Sequence, residues 1–118
     1  MPQDYRIYVE KLNSSPIFTR IAKDLDYQKI GLQIMDEEEI VKEYTSHSKN
    51  GKIVKLEEGI NDPELTIKID EETIKKITSS KEQAWIQKHP VEAAIKYAWK
   101  IDMPLIVKLR LLKLLSNI

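Results

Sequence analysis

The sequence predicts an α+β fold built on a five-stranded mixed sheet, with helices on either side of the strand region and a long amphipathic helix at the C-terminus. Three observations carry that expectation. Apolar and polar residues alternate over Ile30 to Ile34 and again over Leu65 to Ile69, as in half-buried strands. Asn50-Gly51 lies between the apolar runs Ile40 to Thr45 and Ile53 to Leu56, and both residues accept the positive φ of a two-residue hairpin turn. Near both ends, apolar residues recur with helical spacing instead. With 118 residues the chain has the length of one ordinary domain, and 1–118 is read as one.

Residues 1–26 are expected to form the N-terminal helices. Asp4 is placed to cap the first, in which Tyr5, Tyr8, Val9 and Leu12 make a single apolar stripe. Ser15-Pro16 opens a second, with serine as N-cap, proline at the first helical position, and Ile17, Ile21 and Leu25 on one face. Strands 1–4 occupy 28–70. Ile30, Leu32 and Ile34 define the first, and the acidic run Asp36 to Glu39 ends it. The Asn50-Gly51 hairpin supplies the next two. After a turn at Asp62-Pro63, Leu65, Ile67 and Ile69 define the fourth, whose inner face is purely aliphatic.

Short helices follow over 71–96. Asp70 caps Glu71 to Thr78, Ser80 with Gln83 makes a capping box for a helix through Gln87, and Pro90 opens a helix to Lys96. Tyr97, Trp99 and Ile101 alternate with Ala98 and Lys100, which predicts a fifth strand over 97–102. Asp102 then caps a terminal helix over 103–118. Its nine Leu, Ile or Val residues, Ile106 excepted, cover an arc of about 220° at 100° per residue. A surface helix buries a narrower stripe, so a second layer, a subunit, a lipid surface or a bound apolar ligand is expected to cover the surplus.

Composition excludes several function classes. Nineteen basic and nineteen acidic residues give no net charge, so no global field gathers nucleic acid or anionic lipid, and no nucleic-acid partner is expected. Zero cysteines remove disulfides, cysteine–zinc sites, Fe–S clusters and a thiol nucleophile, in keeping with a reducing compartment. The first residues lack the basic start and apolar run of a signal peptide, and the apolar stretch Leu105 to Leu115 is broken by Lys108, Arg110 and Lys113, so a soluble intracellular domain is expected.

Several segments together resemble the sterol carrier protein type-two domain, over about residues 40 to 115. They are Asn50-Gly51-Lys52 at the hairpin, Leu65-Thr66-Ile67-Lys68-Ile69 running into Asp70, His89-Pro90-Val91-Glu92-Ala93-Ala94-Ile95, Ala98-Trp99-Lys100-Ile101, and Leu105 to Leu115. They are similar to that family's Asp-Gly-Lys hairpin, its hydrophobic strand entering an acidic helix start, its Asn-Pro-x-x-Ala-Phe helix, its Leu-Lys-Ile strand and its amphipathic terminal helix. The resemblance implies a five-stranded sheet covered on one face by helices with an apolar tunnel between, and a non-enzymatic binder of fatty acyl chains, sterols or other lipids. Tyr97 stands where the family usually has glycine, and Met103-Pro104 replaces another, so a tyrosine at that corner is placed to fill ligand space. The chain ends in Ser116-Asn117-Ile118 and lacks the peroxisomal address similar to Ser-Lys-Leu, so a cytoplasmic stand-alone domain is expected.

The candidate ligand-binding residues are Phe18, Ile34, Met35, Ile67, Trp85, Ile95, Trp99, Leu105, Leu109 and Leu112, placed between the sheet and the terminal helix. A tunnel and a packed core share one sequence signature, so Trp85 and Trp99 fit either as lining or as core. His47 and His89 have no second ligand at helical or hairpin spacing, and Asp36-Glu37-Glu38-Glu39 lacks EF-hand spacing, so no metal and no cofactor are expected. The serines fall in turns and caps with no nucleophile elbow, and the isolated Gly31, Gly51 and Gly59 build no phosphate loop. No acid–base or nucleophile–activator pair is visible, so no enzyme is expected. Lys108, Arg110 and Lys113 form a basic stripe suited either to plain solvation or to transient contact with lipid head groups. The expected function is therefore binding or carriage of an apolar small molecule or lipid. The alternative is an interaction module with a closed core, forming a homodimer or docking a partner through the terminal helix.

Overall fold

The structure is a computed structural model and describes residues 5–116. Among them run α1 (Arg6–Asn13), α2 (Pro16–Leu25), β1 (Lys29–Asp36), β2 (Glu39–Lys49), β3 (Lys52–Glu58), β4 (Leu65–Asp70), α3 (Glu71–Ile77), α4 (Ser80–Lys88), α5 (Pro90–Lys100) and α6 (Leu105–Ser116). Asp4, expected to cap α1, lies outside the described residues, as do positions 117 and 118 of the expected terminal helix.

The sheet has the order β3-β2-β1-β4, with β1–β2 and β2–β3 antiparallel and β1–β4 parallel. Asn50 and Gly51 take φ of 55° and 81°, as a two-residue hairpin requires. The acidic run makes a second tight hairpin. Glu37 and Glu38 sit at φ of 50° and 70° between the paired Asp36 and Glu39, a turn without the glycine or asparagine that would have marked it. From β3 on one edge the chain returns to β4 on the other across one sheet face. Thr45, fully buried, anchors that crossover by donating to Gly59 O (2.7 Å) and accepting from Asn61 N (2.9 Å). Gly31 lies beneath it, where a Cβ would stand 2.7 Å from Thr66 Oγ1 and 3.2 Å from Pro63 Cγ.

Helices cover the opposite face. α1 and α2 pack over β3, and α3 over β1 and β4. Ser15 caps α2 as the sequence requires, its Oγ accepting from Phe18 N at 3.2 Å with Pro16 at the first position. Two other caps differ from expectation. Asp70 occupies the N-cap of α3 without a side-chain capping bond, and Ser79 rather than Ser80 caps α4, accepting from Glu82 N at 3.3 Å. The Gln83 amide reaches Ile77 O (2.6 Å) instead of closing a capping box.

The fifth strand does not form, so the sheet has four strands and not five. Residues 97–100 complete α5, and only Asp102 meets the sheet, through an isolated antiparallel bridge with paired N–H···O bonds to Lys68 of 2.8 and 2.9 Å. The reason is periodicity. Ala93, Ala94, Tyr97, Ala98 and Ile101 are all buried, a stripe at i, i+1, i+4, i+5 and i+8, whereas Trp99 is 74% exposed and cannot share a face with Tyr97. Pro104 disfavours helical geometry at Met103 and so separates α5 from α6. Asp102 therefore serves the sheet and does not cap the last helix, which begins at Leu105.

Candidate functional site

Two buried clusters sit beneath the helices. Ile69, Ile86, Ala93, Tyr97 and Ile101 join β4 to α4 and α5, and Tyr5, Ile34 and Tyr44 join the start of α1 to β1 and β2. Between them lies a cavity of about 220 Å³. Its floor is the inner sheet face: Ile30, Leu32 and Ile34 of β1, Tyr44, Ser46 and Ser48 of β2, Ile53 and Leu56 of β3, Ile67 and Ile69 of β4. Its roof is Tyr8, Val9 and Leu12 of α1 with Phe18, Ala22 and Leu25 of α2; Tyr5, Tyr27, Ile74, Ile77 and Ile101 close the ends. Several floor residues remain only half-buried, because they face space instead of a packed neighbour.

No lining side chain carries a formal charge, and the hydroxyls that the structure pairs are directed into the protein frame. Tyr5 donates to Glu71 of α3 at 3.4 Å, and burial followed by the Glu71 charge and hydrogen bond pushes its phenol up to about 12. Tyr27 accepts from Arg110 of α6 at 3.1 Å, with the guanidinium 5.4 Å above its ring. Ser46 donates to Ile30 O at 3.3 Å. Ala22, Tyr27 and Ser48 also border a surface groove running between the end of α2 and the β2–β3 hairpin, which places the cavity directly behind that groove.

Two ties fix the walls. Asn13, at the end of α1, pairs with the β3 edge through both amide atoms: Nδ2 donates to Ile53 O and Oδ1 accepts from Ile53 N, each at 2.9 Å. At Gly51, a Cβ would stand 2.3 Å from Thr19 O, so the hairpin tip touches the α2 backbone directly.

Of the ten residues picked out from sequence, the structure brings Phe18, Ile34 and Ile67 together at the cavity. The others stand elsewhere. Met35 follows Ile34 on β1 and is not among the lining residues. Trp85 packs against the Ile69–Tyr97 cluster and lies beside His89, with ring centroids 5.7 Å apart. Ile95, Trp99, Leu105 and Leu109 are exposed, and Leu112 is half-buried on α6. The cavity lies under α1 to α3 and not under the terminal helix, which packs on α5 and α2. Sequence reasoning missed Ala22, Ser46 and Ser48, although small side chains on inner positions, where a solid core needs Leu or Ile, were the available sign of a void.

The remaining polar groups serve structure. Tyr97, expected to fill ligand space, is buried in α5 with its hydroxyl on the Glu82 carboxylate, which also accepts from Lys96 Nζ at 2.8 Å. Burial pushes Glu82 up, but the hydrogen bonds from Lys96 and Tyr97 and the charges of Lys96 and Lys76 outweigh it and hold the carboxyl below its usual range. Burial and then Glu82 push the Tyr97 phenol well above its ordinary value. His47, between two cavity-facing serines, points to the other sheet face and meets Glu57 at 2.9 Å. The basic stripe of α6 is divided: Arg110 is tied to Tyr27 and to Leu25 O (3.3 Å), and Lys108 lies 5.1 Å over the Trp99 ring.

Among the described residues, no group of three or more His, Asp or Glu could hold a metal, and no helix is long and apolar enough to cross a membrane. No family model matches the chain, and no curated protein matches it.

Proposed function

We propose that the protein is a non-enzymatic binder or carrier of an apolar small molecule, held between the sheet and α1 to α3. The observation that carries this reading is the 220 Å³ cavity with an apolar lining and no charged side chain. Such a site offers desolvation as its main driving force and no group positioned for acid–base or nucleophilic chemistry. The resemblance of the hairpin, the Leu65 to Ile69 strand and the His89-Pro90 helix to the sterol carrier protein type-two domain supports the same reading. Native mass spectrometry followed by solvent extraction tests it. A stoichiometric apolar molecule leaving with the protein is the expected result, whereas a clean apo mass together with no response to any added hydrophobe removes the proposal.

A second reading rests on a separate surface. Val91, Ile95 and Trp99 follow one another at i, i+4 and i+8 along α5 and are 41%, 49% and 74% exposed, and Leu105, Ile106 and Leu109 of α6 are 54–67% exposed. We infer that this surface supports self-association. Sedimentation at increasing concentration should show a dimer that Trp99→Ala and Leu109→Lys weaken, and a monomer throughout would exclude it.

A further inference from the structure

The cavity limits what can occupy it, and this inference rests on the ligand-binding reading above. An engineered apolar cavity of roughly 150 Å³ holds benzene, and pockets for drug-sized ligands start near about 300 Å³. At about 220 Å³ this cavity falls between them, about one and a half times the benzene site. We propose that the resident ligand is a compact, uncharged hydrocarbon-like molecule of roughly nine or ten non-hydrogen atoms, the size of a fused two-ring compound or a monoterpene. A sterol or a long acyl chain could not lie wholly within this volume.

Two features resist expansion of the volume around a larger guest. α1 is tied at its start through Tyr5 to Glu71 and at its end through the paired Asn13–Ile53 hydrogen bonds, so it cannot lift without breaking contacts at both ends. The other wall is fixed where the hairpin tip meets the Thr19 backbone at Gly51, a contact that leaves no space for even a methyl group. Charge selects as volume does. With no cation in the lining, a buried carboxylate would exchange its hydration for neutral hydroxyl donors alone, which disfavours a fatty acid lying wholly inside.

The test uses the wild-type protein with isoleucine δ1-methyl labels, stripped of bound hydrophobes and titrated with naphthalene, palmitate or cholesterol from one cyclodextrin carrier. Naphthalene should shift the methyls of Ile34, Ile53, Ile67 and Ile69 while leaving those of the exposed Ile7, Ile40 and Ile95 in place. Its apparent affinity should exceed that of palmitate and cholesterol at least tenfold. Palmitate or cholesterol binding as tightly at the same methyls would overturn the size limit and leave the ligand-binding reading standing. If none of the three probes moves the cavity methyls, the reading beneath it fails as well.

Discussion

Asn13→Ala tests the tie that holds the helical roof to the sheet. The wild-type amide makes two hydrogen bonds of 2.9 Å to the backbone of Ile53, on the strand edge that β2 does not occupy. Each such bond is worth a net ~0.5–1.5 kcal/mol, so deleting both costs about 1–3 kcal/mol. Water can reach an edge strand and re-satisfy the freed groups, which favours the lower half of that range. Urea denaturation should show the loss as a lower midpoint with an unchanged slope, and a chain of this size should lose roughly 3–6 °C in Tm per kcal/mol. Amide exchange at Ile53 gives the local readout, because its N–H is protected by Asn13 and should exchange much faster in the variant. Asn13→Asp keeps the acceptor and loses the donor, so it should retain part of that protection. An unchanged midpoint with Ile53 still protected in Asn13→Ala would refute the reasoning.

Gly51→Ala forces a Cβ to 2.3 Å from Thr19 O at a φ of 81°, where neither the backbone contact nor the turn can relax cheaply; a loss of about 2–4 kcal/mol by denaturant titration is expected. Glu82→Gln should cost about 1–3 kcal/mol near neutral pH, since Lys96 remains partly exposed and can find water. The pH dependence of that difference has a definite sign. Because the folded carboxyl titrates below its ordinary value of 4.5, its contribution is fully present above that pH and is lost as the pH falls through the folded value, so wild type and variant should converge under acid. Parallel stability curves down to about pH 3 would show that Glu82 is not held by Lys96 and Tyr97.

The elements were legible where one periodicity dominated. Ile30, Leu32 and Ile34, then Leu65, Ile67 and Ile69, lie on strands, and Asn50-Gly51 turns the hairpin between β2 and β3 because its two residues accept the required φ. Legibility failed where two periods overlapped. Over 97–101, alternation fits Tyr97, Trp99 and Ile101, but the helical stripe that began at Ala93 fits Tyr97, Ala98 and Ile101, and burial selected the helix. The Glu37-Glu38 hairpin was hidden because neither residue favours positive φ, so pairing of the flanking strands imposes that geometry. Only Phe18, Ile34 and Ile67 of the expected lining meet the cavity. The width of apolar surface on the terminal helix drew attention there, whereas that helix packs beside the cavity on α2 and α5.

The cavity is itself an energetic anomaly. A sealed apolar void costs about 24 cal/mol per Å³, which sets an upper bound of about 5 kcal/mol for 220 Å³, comparable to the entire stability of many domains. A module that only needed a surface would recover that energy with a few larger side chains, and Ala22 is the simplest place to add one. It lies on α2 facing the void, four residues after Phe18, where leucine is also a good helix former. Ala22→Leu adds three carbons, worth about 2 kcal/mol if they are buried without strain. The apo protein should therefore gain about 1–2 kcal/mol while its affinity for naphthalene drops at least tenfold. That opposition between stability and binding is what a cavity kept open for a ligand requires. A variant that loses stability has met a packed interior, and the cavity, the ligand and its size limit would then fall together.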